Sequence, residues 1–284
     1  MLKKKNKIKF YIPLVLSFVL LSGCGNIEEK EITTTKEEVF VMEKNITQAN
    51  ITILDVYDNV EFNPDFKTGF GFACVVKLKD KTILFDTGGD SQTLLSNLET
   101  ANIKPEDIDI ILLSHIHGDH VGGLLGFLEK NPNVKVYVPA SFPSSFKNQI
   151  ASTGAELIDV SNPVKIIEGV YSTGELGTWI KEQSLVIDSD KGLVVITGCA
   201  HPGIVNIVRK AKDMFNKKLY LVLGGFHLSA AGDSELKNII KSFRELEVEK
   251  TAPSHCTGER ARELFKQEYK DNFIENGVGK EIRI

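Results

Sequence analysis

The chain has 284 residues, 42% hydrophobic and 25% charged, with a formal net charge of -4. That much apolar chain can bury a large core, which excludes an intrinsically disordered protein. The mild acidity, with no Lys/Arg cluster beyond the first nine residues, excludes a basic track for a nucleic-acid backbone, while a nucleotide as a small substrate stays open.

The N-terminus reads as a targeting segment. Lys3, Lys4, Lys5, Lys7 and Lys9 precede an uncharged run over 10–21, too short for a membrane span, which needs about 20 apolar residues. Leu21-Ser22-Gly23-Cys24 follows and resembles the lipobox of bacterial lipoproteins. The resemblance implies that 1–23 is a signal peptide, that Cys24 is acylated, and that the chain is exported and anchored to the outer face of a bacterial membrane. Residues 24–49 are rich in Glu, Lys and Thr, have little to bury, and read as a flexible tether. A single domain is expected over 50–284. The cysteines left to it, Cys74, Cys199 and Cys256, are odd in number and unpaired in spacing, so no disulfide framework is indicated.

Within that domain, strands are expected over 51–57, 72–78, 82–85, 108–113, 134–138, 185–187, 193–197, 219–223 and 251–252. Helical spacing alternates with them. Leu94, Leu95, Leu98 and Ala101 share one face, as do Ile204, Ile207, Val208, Ala211 and Phe215, and then Leu236, Ile239, Ile240, Phe243 and Leu246, with Asp233 or Ser234 as the expected cap of the last helix. The class is α/β. Strand after strand ends in a short loop carrying a potential ligand: Asp86, His115, His201, His227 and His255 each follow one.

The densest chemistry is Ser114-His115-Ile116-His117-Gly118-Asp119-His120-Val121-Gly122-Gly123. Three imidazoles and a carboxylate within six residues suit a divalent transition metal, because neutral His nitrogen and Asp oxygen are standard zinc ligands. His115 and His117, two residues apart, can reach one ion, and Asp119 and His120 a second. The chain holds six histidines, and all six lie in strand-end loops. Asp86, between a strand and Thr87-Gly88-Gly89, suits a carboxylate that orients a ligating imidazole from behind; the plainer alternative is a turn or capping Asp.

These motifs together resemble the metallo-β-lactamase superfamily, over about residues 50–284. Gly198-Cys199-Ala200-His201-Pro202-Gly203, Gly224-Gly225-Phe226-His227-Leu228 and Ser254-His255-Cys256-Thr257-Gly258 are further similar to a subgroup described as dihydropteroate-synthase-like or related to a dihydropterin ribofuranosyl-aminobenzene phosphate synthase. The resemblance implies a four-layer αββα sandwich with two divalent ions at one edge, Zn first and Mn or Fe as alternatives. It implies His115 and His117 on the first ion and Asp119, His120 and His255 on the second. The chain departs from the pattern twice. Glu182-Gln183-Ser184 stands where many relatives have a His, and Gly198-Cys199-Ala200-His201 stands where many have a bridging Asp. His201 is then the candidate for the missing ligand of the first ion. Cys199 is either a thiolate ligand or, more commonly for a small buried Cys, packing, and the bridging role is unassigned. His227 is read either as a ligand or, preferentially, as a group that polarises the substrate or gives it a proton. Cys256 and Cys74 are read as packing.

Such a centre activates water, with Asp119 as ligand and steering base, and suits hydrolysis of an ester, phosphodiester, lactone or amide. The helix expected to start at Ile204, just after His201, would aim its positive end at the metals and favour an anionic small molecule such as a phosphoester or cyclic phosphodiester. A pterin-related synthase and a non-catalytic metal-binding lipoprotein are the alternatives.

Overall fold

The computed structural model describes residues 48–284. The expected signal peptide, the acylated Cys24 and the tether up to residue 47 lie outside the described residues.

The first half of the fold runs β1 (Thr52–Asp58), β2 (Phe72–Lys77), β3 (Thr82–Phe85), α1 (Ser91–Thr100), β4 (Ile110–Leu112), α2 (Gly118–Val121), α3 (Leu124–Leu128), β5 (Lys135–Pro139), α4 (Ser144–Ser152) and β6 (Glu156–Val160). The second runs β7 (Val164–Ile167), β8 (Val170–Ser172), β9 (Leu185–Ser189), β10 (Gly192–Thr197), α5 (Ile204–Phe215), β11 (Leu219–Gly225), α6 (Asp233–Glu245), β12 (Lys250–Ser254), α7 (Glu259–Tyr269) and β13 (Glu281–Arg283). The strands form a seven-stranded sheet, β13-β1-β2-β3-β4-β5-β6, and a six-stranded sheet, β12-β11-β10-β9-β8-β7.

Strand periodicity explains the layering. Successive side chains point to opposite faces, so a strand whose neighbours are both apolar must be covered on both sides. Phe72, Cys74 and Val76 of β2 enter a core shared with Val194 and Ile196 of β10 and Leu221 and Leu223 of β11. Ala73 and Val75 instead face Leu94 and Leu98 of α1, Phe127 of α3 and Ile150 of α4. Leu193 and Val195 face Ile207 and Val208 of α5, Phe243 of α6 and Phe265 of α7. Three cores separate four layers, and the αββα sandwich follows.

Sequence periodicity did not anticipate the inner strand β8, the helices α2, α3, α4 and α7, or three strands at sheet edges. β6 and β13 border the first sheet and β7 the second, each with exposed or half-exposed positions that dilute the apolar signal. α7 presents few apolar residues, with Ala261, Phe265 and Tyr269 buried. The expected cap of α6 needs correction: Gly232 is the N-cap, and Asp233 is already the first helical residue, paired outward with Arg260. Pairing reaches back to Gln48, whose backbone and side chain bond to Asp188 and Glu168.

β3 runs parallel to β4, and β10, β11 and β12 run parallel to one another. Their C-terminal ends therefore gather at sheet edges, where α/β scaffolds place ligands.

Candidate metal centre

Asp86, at the end of β3, adopts a positive φ of 56°. It accepts hydrogen bonds from the Ser114 amide (2.6 Å), the Ser114 hydroxyl (2.7 Å) and His120 Nδ1 (2.7 Å). Ser114 Oγ also lies 2.9 Å from His115 Nδ1. α2 begins right after His117, and this single helical turn swings Asp119 and His120 away from the side that carries His115 and His117.

Three groups of donor atoms result, the third of which, Cys199, His227 and Cys256, shares Cys199 with the second. In the first, donor atoms of His115, His117 and His201 lie within 4.8 Å of one another. Their rings are stacked edge to face, with centroids 4.7 to 4.8 Å apart. In the second, Asp119, His120, Cys199 and His255 meet the same limit. Asp119 Oδ2 is 3.5 Å from His120 Nε2 and 3.4 Å from His255 Nε2, and Cys199 Sγ is 3.2 and 3.4 Å from the same two nitrogens.

The supports of the imidazoles share a logic. Nδ1 of His115, His120 and His255 is engaged by Ser114, Asp86 and Asn59, which leaves each Nε2 facing inward. Asn59 grips His255 twice, through Oδ1 on Nδ1 (2.7 Å) and Nδ2 on the carbonyl (3.2 Å), while Asp58 accepts the His255 amide. Sequence reading missed Asn59 and Asp58, because nothing in residues 58–59 signals that they meet a loop nearly 200 positions away.

Glu182 was noted only as a departure from pattern. It is fully buried and accepts the amides of Cys199 (3.1 Å), Ala200 (2.8 Å) and His201 (2.8 Å), so it shapes the loop that delivers Cys199 and His201. Burial pushes its carboxyl up to about 7, against the opposing pull of the Ala200 and His201 amides. Cys199 lies within the second donor group rather than in packing alone, and Cys256 Sγ lies beside it and His227 rather than in a core. Cys74 is fully buried in β2, as expected of packing. His227 is exposed, with φ of 56° and its ring 4.4 Å from that of His201.

Electrostatics suit metal ligation. Burial, with neighbouring imidazoles, holds His115 well below the ordinary histidine range, and burial beside His227 holds His201 down to about 4, so both present lone pairs at neutral pH. Burial opposes ionisation of Asp119, but its bond to His255 and the charge of His120 win and lower it to about 2. Burial also disfavours charge on His120, but Asp86 overrides it and raises the group. His201 Nε2 is buried with no hydrogen-bond partner, and His115 Nε2 and His117 Nδ1 face each other at 3.2 Å. Buried donor atoms that converge on one another rather than on protein hydrogens fit divalent ions.

Residues 67–212 match the family model described as the metallo-beta-lactamase superfamily. The chain belongs to the metallo-β-lactamase superfamily. Within it, the chain is similar to the 7,8-dihydropterin-6-methyl-4-(beta-D-ribofuranosyl)-aminobenzene-5'-phosphate synthase of Methanocaldococcus jannaschii, at 30% identity over 275 residues covering 80% of this chain and 94% of that protein. A ribonuclease Z of Streptococcus uberis is 31% identical over 138 residues, 45% of this chain and 40% of that one. A solved structure described as a metal-dependent hydrolase of the β-lactamase superfamily superposes with a TM-score of 0.70 at 29% identity, covering 82% of this chain and 99% of its own. The superfamily generally binds divalent metals, and the three donor groups hold this member's candidate ligands.

Proposed function

We propose that this metallo-β-lactamase-fold protein is a binuclear metal-dependent hydrolase of small anionic phosphoesters. One observation carries the reading: two adjacent donor groups, His115/His117/His201 and Asp119/His120/Cys199/His255, built by loops from both sheets. In this reading each group holds one divalent ion, with Zn first by donor type. The ions would supply Lewis acidity toward the substrate oxygen and an acidified water at neutral pH.

The chain's own residues complete the chemistry. Asp119, half-buried and ionised, orients the attacking water. His227, exposed beside His201 and raised chiefly by its contact with Cys256, gives a proton to the leaving oxygen. The first turn of α5 borders the same cleft as His201, so its positive end favours a phosphate. We propose further that the mature chain is exported and tethered by acylation of Cys24.

A second reading, a pterin-related synthase, is favoured by the M. jannaschii relative and its coverage. A panel of phosphomonoesters, phosphodiesters, lactones and a pterin condensation assay separates the two. Phosphate release that is lost on chelation and in His117→Ala supports hydrolysis, and condensation without hydrolysis overturns it.

A further inference from the structure

Among the described residues, the most exposed large apolar side chain is Trp179, at 97% exposure. It is also the single tryptophan of the chain. An indole left in water forgoes the burial that normally holds aromatic side chains inside a fold, burial that the ring of a bound molecule can supply.

The location is specific. Leu176 and Glu182 exchange backbone hydrogen bonds (2.9 and 3.0 Å) and close a narrow turn over residues 177–181 with Trp179 at its tip. Lys181 Nζ ties back to the Gly177 carbonyl at 2.6 Å. Gly177 has φ of 89°, and a Cβ there would meet the Ile180 carbonyl at 2.7 Å and Pro202 at 3.3 Å, so the turn packs directly on the loop after His201. Glu182, at the base of the turn, holds the amides of residues 199–201. The element presenting Trp179 and the loop delivering His201 are therefore one braced unit.

Between them lies a cleft of about 530 Å³ bordered by Leu176, Trp179, Ile180, His201, Pro202 and Asn206. That volume suits a small molecule. Its walls are mostly apolar, and an imidazole of the first donor group forms one side. A ligand held by its charged group at the centre that His201 borders would lay its remaining body along the apolar wall toward Trp179.

We propose that Trp179 is a specificity-determining residue that stacks on a planar aromatic ring carried by the substrate in the cleft it shares with His201. The proposal rests on the reading of the centre as a phosphoester hydrolase, and its test does not require turnover. Phenylphosphonate and methylphosphonate, two stable phosphoester mimics that differ only in the ring, are titrated into the metal-loaded full chain while the emission of its one tryptophan is followed.

Phenylphosphonate should quench or blue-shift that emission saturably, and methylphosphonate should leave it unchanged. By calorimetry, Trp179→Ala should weaken phenylphosphonate binding roughly tenfold, Trp179→Phe should restore most of it, and methylphosphonate affinity should not move. Metal content equal to wild type confirms that the variants are folded. Equal affinity of the two phosphonates, or phenylphosphonate binding indifferent to Trp179→Ala, overturns the proposal even if esters are hydrolysed. A Trp179-dependent ring preference without hydrolysis upholds it and removes the hydrolase reading instead.

Discussion

Asp86 serves three donors with two oxygens from a left-handed backbone position, and it ties the first residue of the histidine loop to the imidazole of His120. Replacing it by Asn keeps the shape but removes the charge and puts an amide N–H₂ against hydrogens already present. Asp86→Asn should weaken metal binding about 10- to 100-fold with little change in fold, as read by chelator competition. The histidines also set an acid limit. His115 and His201 are held below the unfolded histidine value near 6.5, so between that value and about 4 the unfolded chain binds protons that the native chain does not. The stability these two histidines lend the metal-free protein should therefore be lost as pH drops from 6.5 to 4, while buried Glu182, raised to about 7, binds its proton in the native chain over much of the same window and opposes that loss. For half-exposed His201 the loss is on the order of 1 to 2 kcal/mol after allowance for solvent screening, read as the difference between wild type and His201→Ala in urea unfolding at pH 7 and at pH 4.5. His120, raised by Asp86, contributes stability that is fully present below about 6.5 and is lost only as pH rises above that value, so it leaves the acid fall unchanged.

At the scale of elements, the site depends on loops approaching more closely than side chains allow. Gly198 ends β10 against the Asp86–Ser114 pair: a Cβ there would lie 2.1 Å from Ser114 Oγ and 2.9 Å from Asp86 Oδ2. Gly198→Ala should destabilise the metal-free chain by about 1 to 3 kcal/mol and loosen His120 as well, visible as a lower urea midpoint together with weaker metal uptake. Sequence periodicity located α1, α5, α6 and the central strands other than β8, because their apolar residues recur without interruption. It failed at β6, β7 and β13, where one face or edge meets water, at β8, α2, α3 and α4, which are short, and at α7, whose apolar stripe is thin. The histidine clustering was legible because imidazole is a rare side chain here and its ligand chemistry narrow. Glu182, Asn59 and Trp179 were not, since Glu, Asn and Trp carry no such signature and acquire meaning only from what lies across the fold.

At the scale of the whole molecule, the site is a property of the sandwich rather than of either half. The first sheet delivers Asp86 and residues 115–120, and the second delivers Cys199, His201, His227 and His255. The shared core of Phe72, Phe85, Ile196 and Leu223 fixes their relative position, and Phe72 itself lies 6.5 Å from the His255 ring. Metal binding and sheet docking should consequently stabilise each other by linkage, by about 2.7 kcal/mol at a hundredfold excess of free metal over its dissociation constant. The most direct measurement is calorimetric titration of Zn²⁺ into the chelator-stripped full chain and its His117→Ala variant. The account predicts two ions per chain for the wild type and one for the variant. A wild type that takes up no metal, or a variant that keeps both ions at undiminished affinity, would contradict it.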